Sequence, residues 1–267
     1  MSDLDVQLIE AALRGRFGRP LRYVESIGST NSAALMWAHK GAPEGAVLAT
    51  DHQTEGRGRW GRGWSSAPGK LLQFSLVLRP RIPVQGLGLI TTALGVACAD
   101  AVEEACGLTP TIKWPNDVRV NGKKVAGILV ESQLAGASLT VTIAGMGVNV
   151  GWSRSEIPGE IAADATSLAA ELEGSGREVP ARAELLAAIL ARFEELYAPL
   201  PAGAPALIDA ATRRSDVLGH DVVVGLSNDE TVEGRAVRLL PGGELELETP
   251  EGAKALSVGE IRRLRTS

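Results

Sequence analysis

The sequence predicts an α+β fold, a mixed sheet with helices followed by a small all-β module. Three observations carry this. Strand-like runs in the body are joined by hairpin signals, above all Asn121-Gly122, and hairpins imply antiparallel or mixed pairing rather than a doubly wound parallel sheet. Helical stretches are interleaved with those strands. From residue 213 the chain turns into short strands separated by glycine-rich turns, roughly the size of a small β-barrel. The expected domains are therefore 1–212 and 213–267.

Apolar residues at helical spacing over 4–14, stopped by Gly15, predict a short first helix. "LRYVES" (21–26) reads as a strand. Ser29, Thr30 and Asn31 precede an alanine- and leucine-rich run ending at Gly41, an N-cap signature followed by a helix. "AVLATDHQ" (46–53) is a strand. In "LLQFSLVLRP" (71–80), Leu72, Phe74, Leu76 and Leu78 face one way. Residues 87–106 make a long, mostly apolar helix. "TIKW", a turn at "PND", "VRV" and the Asn-Gly turn lead into "KKVAGILVES", and 138–150 form a further strand. Two or three helices occupy about 166–212, the clearest at 181–197. "HDVVVGL", "TVEGRAVRL", "ELELE" and "AKALSVG" are the strands of the last module.

Hydrophobic residues make up 45% of the 267, enough for a full core, so a disordered chain is excluded. A net charge of −5 argues against general nucleic-acid binding, which needs a broad basic surface. Cys98 and Cys106 fall within the apolar helix and read as small core residues of a reducing compartment. His39, His52 and His220 share no metal-ligand spacing, so a zinc site is not expected. The N-terminus lacks a signal pattern, and no apolar run is read as reaching the ~18–20 residues of a membrane span. A cytoplasmic protein is expected.

Basic character concentrates in "GRGRWGRGW" (56–64), which packs three arginines, four glycines and two tryptophans into nine residues. Glycine allows close backbone approach to an anion, and arginine adds forked donors suited to phosphate or carboxylate. The loop is neither a Walker A sequence nor a Rossmann fingerprint. It occurs once, between two strands, unlike a repeating RGG segment. "KWPND" (113–117) would be an ordinary turn in isolation. Here Lys113 and Trp114 flank it, Asp117 is a candidate Mg²⁺ ligand, and Asn116 is a candidate partner for phosphate or ribose. In "KKVAGILVE" (123–131), one reading is a buried strand with two solvated lysines. The other points Lys124 into a site where Gly127 leaves room for a ligand. "GMGVNV" (145–150) ends a strand with Gly145, Gly147 and Asn149, either for tight packing or for a ligand.

Taken in order, STN, GRGRWGRGW, KWPND, KxAGILVE, GMGVN and the small β module resemble the motif set of the biotin–protein ligase family. The resemblance runs from about residue 25 to the C-terminus. It implies adenylation of biotin by MgATP and transfer of biotin to one lysine of a biotin carboxyl carrier domain. It also implies a mixed α+β catalytic domain with a C-terminal SH3-like barrel. By position, Ser29, Thr30, Asn31, Gln53, Gly56, Arg57, Gly58, Arg59, Trp64, Lys124, Gly127 and Gly145 match biotin-side residues. Arg59, Arg62, Trp64, Lys113, Asn116, Asp117, Lys124 and Asn149 match the ATP side. Lys124 and Arg59 are the expected catalytic groups, and Asp117 the expected Mg²⁺ ligand. Trp60 departs from relatives that carry another basic residue there. Only 28 residues precede Ser29, too few for the winged helix-turn-helix of the regulatory ligases, so no repressor activity and no DNA binding are expected. The assembly is expected to be a monomer or a homodimer. The rivals are a lipoate–protein ligase, sharing the adenylation chemistry, and an inactive sensor or RNA-binding module.

Overall fold

The computed structural model describes residues 3–136, 138–227 and 230–265. Its body is one seven-stranded sheet of β1 (Leu21–Ile27), β2 (Val47–Gln53), β3 (Leu71–Leu78), β4 (Thr111–Lys113), β5 (Asp117–Val120), β6 (Lys123–Ala135) and β7 (Ser138–Asn149), in the order β1-β2-β3-β7-β6-β5-β4. β1 and β2 pair in parallel and every other pair is antiparallel, so the sheet is mixed as expected. Asn121 and Gly122 both take positive φ (50° and 76°), as a tight hairpin of matching twist requires.

The helices are α1 (Val6–Ala12), α2 (Thr30–His39), α3 (Leu87–Cys106), α4 (Leu168–Leu172), α5 (Arg182–Tyr197) and α6 (Ala204–Arg214). α1 is shorter than its periodic pattern, because Asp5 caps it by accepting from the Leu8 amide. On β3, Leu72, Phe74, Leu76 and Leu78 pack with α3 and α5 in the main core, as the alternation predicts. The opposite face is buried too: all eight β3 residues are. There Val77, with Leu48, Val141 and Ile143, meets Ala34, Trp37 and Ala38 of α2. α2 covers only part of that second face, and the remainder holds the candidate site.

α3 corrects one expectation. With the short turn before it, Val84–Cys106 is 23 residues long and contains an 18-residue stretch of mean hydropathy 1.4, long and apolar enough to cross a membrane by length and composition. Thirteen residues of α3 are nonetheless buried, with Cys98 and Cys106 among them as unpaired thiols. An all-round apolar helix is also what the centre of a protein core demands.

After α6 come β8 (Asp221–Gly225), β9 (Thr231–Leu239), β10 (Leu245–Thr249), β11 (Gly252–Leu256) and β12 (Glu260–Arg265). They form an antiparallel sheet in the order β11-β10-β9-β8-β12. Among the described residues this sheet does not close, since β11 and β12 are its two edges, so the expected barrel is not what they form. One face carries a core of its own with Val222, Val224, Ala236, Leu245, Leu247 and Ile261, and the body contributes Trp114 to it. The Trp114 indole N–H donates to the Gly243 carbonyl at 3.1 Å. β12 escapes the sequence reading because "EIRRLR" is mostly charged.

Candidate active site

The uncovered part of the sheet is read most simply from its register. Gly127 of β6 pairs with Gly147 of β7, which pairs with Gln73 of β3, and the next row is Leu129, Gly145 and Ser75. Cross-strand partners share a face, so two polar side chains, three glycines and Leu129 make one continuous floor. Asp117 lies opposite Gly127. The β5–β6 register then shifts, and Arg119 pairs with Lys124 in place of Val125. This bulge explains how Lys124 and Gly127, three residues apart, serve the same face while Val125 and Ala126 both enter the core.

Three adjoining cavities lie over this floor, of about 60, 110 and 610 Å³, and Trp64 and Lys124 line all three. Ser29, Thr30, Asn31, Gln53, Arg57, Gly58, Arg59, Gly127 and Gly145 line the smallest. Asn116 joins them there and lines the middle cavity with Lys113, Asp117, Arg59 and Arg62. Lys113, Asp117, Arg62 and Asn149 line the widest. Sixteen of the seventeen residues expected at the site therefore line a cavity. Gly56 does not: it forms the neck of the loop, where its carbonyl accepts from the Trp64 amide at 2.9 Å and a Cβ would lie 2.7 Å from the Trp64 carbonyl.

The small cavity has a dense polar floor. The Thr30 amide and hydroxyl donate to Gln53 Oε1 at 2.8 and 3.0 Å, and Gln53 Nε2 donates to Gln73 Oε1 at 2.9 Å. The buried Ser75 hydroxyl lies 2.8 Å from Thr30 Oγ1 and 2.6 Å from Asn31 Oδ1. Asn31 Nδ2 donates to the Leu129 carbonyl and the Glu131 carboxylate. Ser29 holds the N-cap position of α2 by backbone geometry, but its side chain makes no capping bond. Gly145 is what admits Asn31, since a Cβ there would meet Asn31 Oδ1 at 2.1 Å. The room left by Gly127 and Gly147 is taken by protein: Cβ atoms would meet the Trp64 ring at 2.8 and 2.5 Å. The indole Nε1 is buried with no hydrogen-bond partner among the described residues.

The glycine–arginine loop leans on the C-terminal sheet. Arg59 Nη1 donates to the Gly259 carbonyl at 2.9 Å and to Asn116 Oδ1 at 3.4 Å. Burial pushes the Arg59 guanidinium below its ordinary value, with the Glu260 and Asp117 charges opposing that shift. Arg62 pairs with Glu260. Burial alone would raise the Glu260 carboxyl, yet its bond to Arg62 holds it below the usual range. The Trp60 ring lies 5.3 Å from the Arg59 guanidinium carbon and 5.9 Å from that of Arg62, within cation–π range. Lys124 Nζ is 2.7 Å from Asp117 Oδ1, an ion pair whose angles fall short of a hydrogen bond, so that oxygen is also left without one. Lys124 Nζ lies 5.3 Å from the Trp64 ring centroid.

Several residues that line or underlie the cavities were not singled out from the sequence. Gln73 and Ser75 sit at the polar positions of an alternating strand, where the default is a solvated face. Arg119, Trp152, Asp164 and Glu260 line the wide cavity from segments without a motif. Glu260 was detectable only as the acid after Gly259.

Residues 23–149 match the Biotin/lipoate A/B protein ligase family. The chain is 34% identical over 264 residues to the biotin–[acetyl-CoA-carboxylase] ligase of Mycobacterium tuberculosis, covering 97% of this chain and 93% of that protein. It is 34% identical over 251 residues to the bifunctional ligase/repressor BirA of Bacillus subtilis, covering 91% of this chain and 74% of that protein. The fold matches the biotin protein ligase from Aquifex aeolicus in complex with biotin and ATP, with a TM-score of 0.76, 31% identity, and coverage of 92% of this chain and 98% of that one.

Proposed function

We propose that this chain, which belongs to the biotin protein ligase family, adenylates biotin with ATP and transfers the biotinyl group to one lysine of a biotin carboxyl carrier domain. The observation that carries this reading is the shared wall. Lys124 and Trp64 stand between a narrow, amide-rich cavity and a wide one of about 610 Å³ with cations along its lining. The wide cavity has the size of a small-molecule site. The narrow one offers the hydroxyls and amides that suit a ureido ring, which both donates and accepts. Trp64, which lies against Gly127 and Gly147, forms the wall of this narrow cavity of about 60 Å³.

In the first step a biotin carboxylate oxygen bonds to the α-phosphorus of ATP. The bond from that phosphorus to the α,β-bridging oxygen breaks, and pyrophosphate leaves with the electron pair. Two anions must meet. Lys124 and Arg59, placed beforehand, offset that repulsion, and each such group typically contributes ~3–4 kcal/mol, ~10²–10³ in rate. In the second step the acceptor ε-amine attacks the acyl carbon, AMP departs, and the amine proton is lost to solvent. The loop of residues 56–64 keeps water from the mixed anhydride meanwhile.

The donor set also suits a magnesium ion arriving with the phosphates. Asp117 supplies one carboxylate, and among the described residues no three His, Cys, Asp or Glu gather into a protein-only cage. Magnesium is commonly held by one or two carboxylates plus substrate phosphates, and when bound it supplies Lewis-acid charge neutralisation.

Residues 1–212 are assigned the ligase chemistry, and 213–267 an SH3-like module that borders the nucleotide. The two buried unpaired thiols fit a reducing cytoplasm. Incubation with ATP, biotin and a purified carrier domain tests the whole reading. One biotinyl mass increment on one carrier lysine is the expected product, and an unmodified carrier contradicts the reading. Arg59→Ala should release biotinyl-AMP faster than wild type. Unchanged biotin affinity and adenylate retention would remove Arg59 from the account.

A further inference from the structure

Arg119 lines the wide cavity, and the reaction as described gives it no task. It stands two residues beyond Asp117 on β5, so both side chains use the same face. The register pairs Lys113 with Asp117 across β4, and the bulge sets Lys124 opposite Arg119. Lys113, Arg119 and Lys124 thus surround one carboxylate on one wall. Burial, and then the Arg119 charge, push Lys113 below the ordinary lysine value. The charges of Asp117, Glu260 and Asp216 oppose that shift.

The Arg119 guanidinium is incompletely met. Nη1 donates to Asp216 Oδ2 at 3.4 Å, the long end of the hydrogen-bond range. Arg119 Nε and Asp216 Oδ1 are both buried and without a hydrogen-bond partner among the described residues. Arginine–carboxylate pairs are frequently bidentate, with both oxygens on the guanidinium fork. Here one oxygen makes a long contact and the other none. Asp216 lies between α6 and β8, where Thr111 Oγ1 also donates to it at 3.3 Å and its amide donates to the Ile112 carbonyl. It anchors the guanidinium from behind and leaves donors for another acceptor.

We propose that Arg119 is a phosphate-binding residue of the nucleotide site which, with Lys113, receives the pyrophosphate leaving group of the adenylation step, while Asp216 positions its guanidinium. A planar fork suits two phosphate oxygens at once, which a lysine cannot match. The electron pair of the breaking bond moves onto the departing pyrophosphate, so a cation held on that side is worth most as the bond breaks. The assignment rests on the ligase reading above.

The test uses Arg119→Gln, Arg119→Lys and Asp216→Asn in the full chain. Calorimetric titration with inorganic pyrophosphate, and KM for ATP and for biotin, are the readouts. Arg119→Gln should weaken pyrophosphate binding and raise the ATP KM by about ten- to hundred-fold, with the biotin KM held. Arg119→Lys should recover part of the loss, and Asp216→Asn should fall between the two. Unchanged pyrophosphate affinity in Arg119→Gln overturns the assignment. So does a fall in melting temperature and biotin affinity parallel to the loss for ATP, which marks a structural ion pair. A wild type without biotin-dependent exchange overturns the ligase reading instead, while the pyrophosphate titration still decides Arg119.

Discussion

Gly127 and Gly147 set how near Trp64 and Lys124 can lie to the sheet. A Cβ at 127 would come within 2.9 Å of Lys124 Cε and 2.8 Å of the Trp64 ring. Gly127→Ala should therefore displace both groups and cost about 10²-fold in adenylation, with folding retained, since a misplacement near 1 Å can cost that much. The rate of pyrophosphate exchange, with circular dichroism as control, checks this. Lys113 makes a second prediction. Its ammonium is the form that attracts phosphate, and burial lowers its pKa from the usual 10.5. Its contribution is whole below that lowered pKa and disappears as pH rises through it. The kcat/KM for ATP, which reports the free enzyme, should fall before pH 10.5, and Lys113→Arg should move the fall upward. At this scale the sequence was most legible where a residue type has few other uses, as with the loop arginines and the lysine beside a glycine. Gln73, Ser75 and Arg119 were hidden because polar residues in strands usually face solvent.

The loop of residues 56–64 is the element on which the account turns. Two of its arginines are occupied by the C-terminal sheet, through the Gly259 carbonyl and Glu260. Glu260→Gln removes one tie. Partly exposed ion pairs are worth ~0–1 kcal/mol, so amide exchange across the loop should rise a few-fold without unfolding. No change would mean that the Arg62–Glu260 pair does not hold the loop. Element boundaries were largely readable: the hairpin at Asn121-Gly122, the long apolar α3 and the strand at 71–78 all follow from local pattern. The bulge opposite Arg119 was not, since a one-residue register shift leaves no trace in composition. Nor was the double burial of β3, because α2 covers its second face from a distant stretch of chain.

For the molecule as a whole, Arg182 ties the N-terminal segment to the sheet. It is 2% exposed, bonds Asp3 and Asp51, and donates to the Leu71 carbonyl at 3.0 Å. Arg182→Met leaves Asp51 without that partner in a largely buried place. A loss of about 3–5 kcal/mol is expected, or about 10 °C in melting temperature, with activity tracking the folded fraction. A second sheet after the first was foreseeable from where the pattern turns to short strands near residue 213. That the second sheet does not close among the described residues, takes Trp114 into its core and reaches back over the loop was not, because those contacts join residues 129 to 200 positions apart. The central claim is that Lys124 helps join a biotin carboxylate to ATP across the two cavities. Biotin-dependent ATP–pyrophosphate exchange tests it most directly, in wild type and Lys124→Ala, with lipoate and octanoate as parallel acids. Exchange with biotin alone and a loss of ~10²–10³ in the variant are expected. Exchange with lipoate in place of biotin, or no exchange with any acid, would contradict the claim.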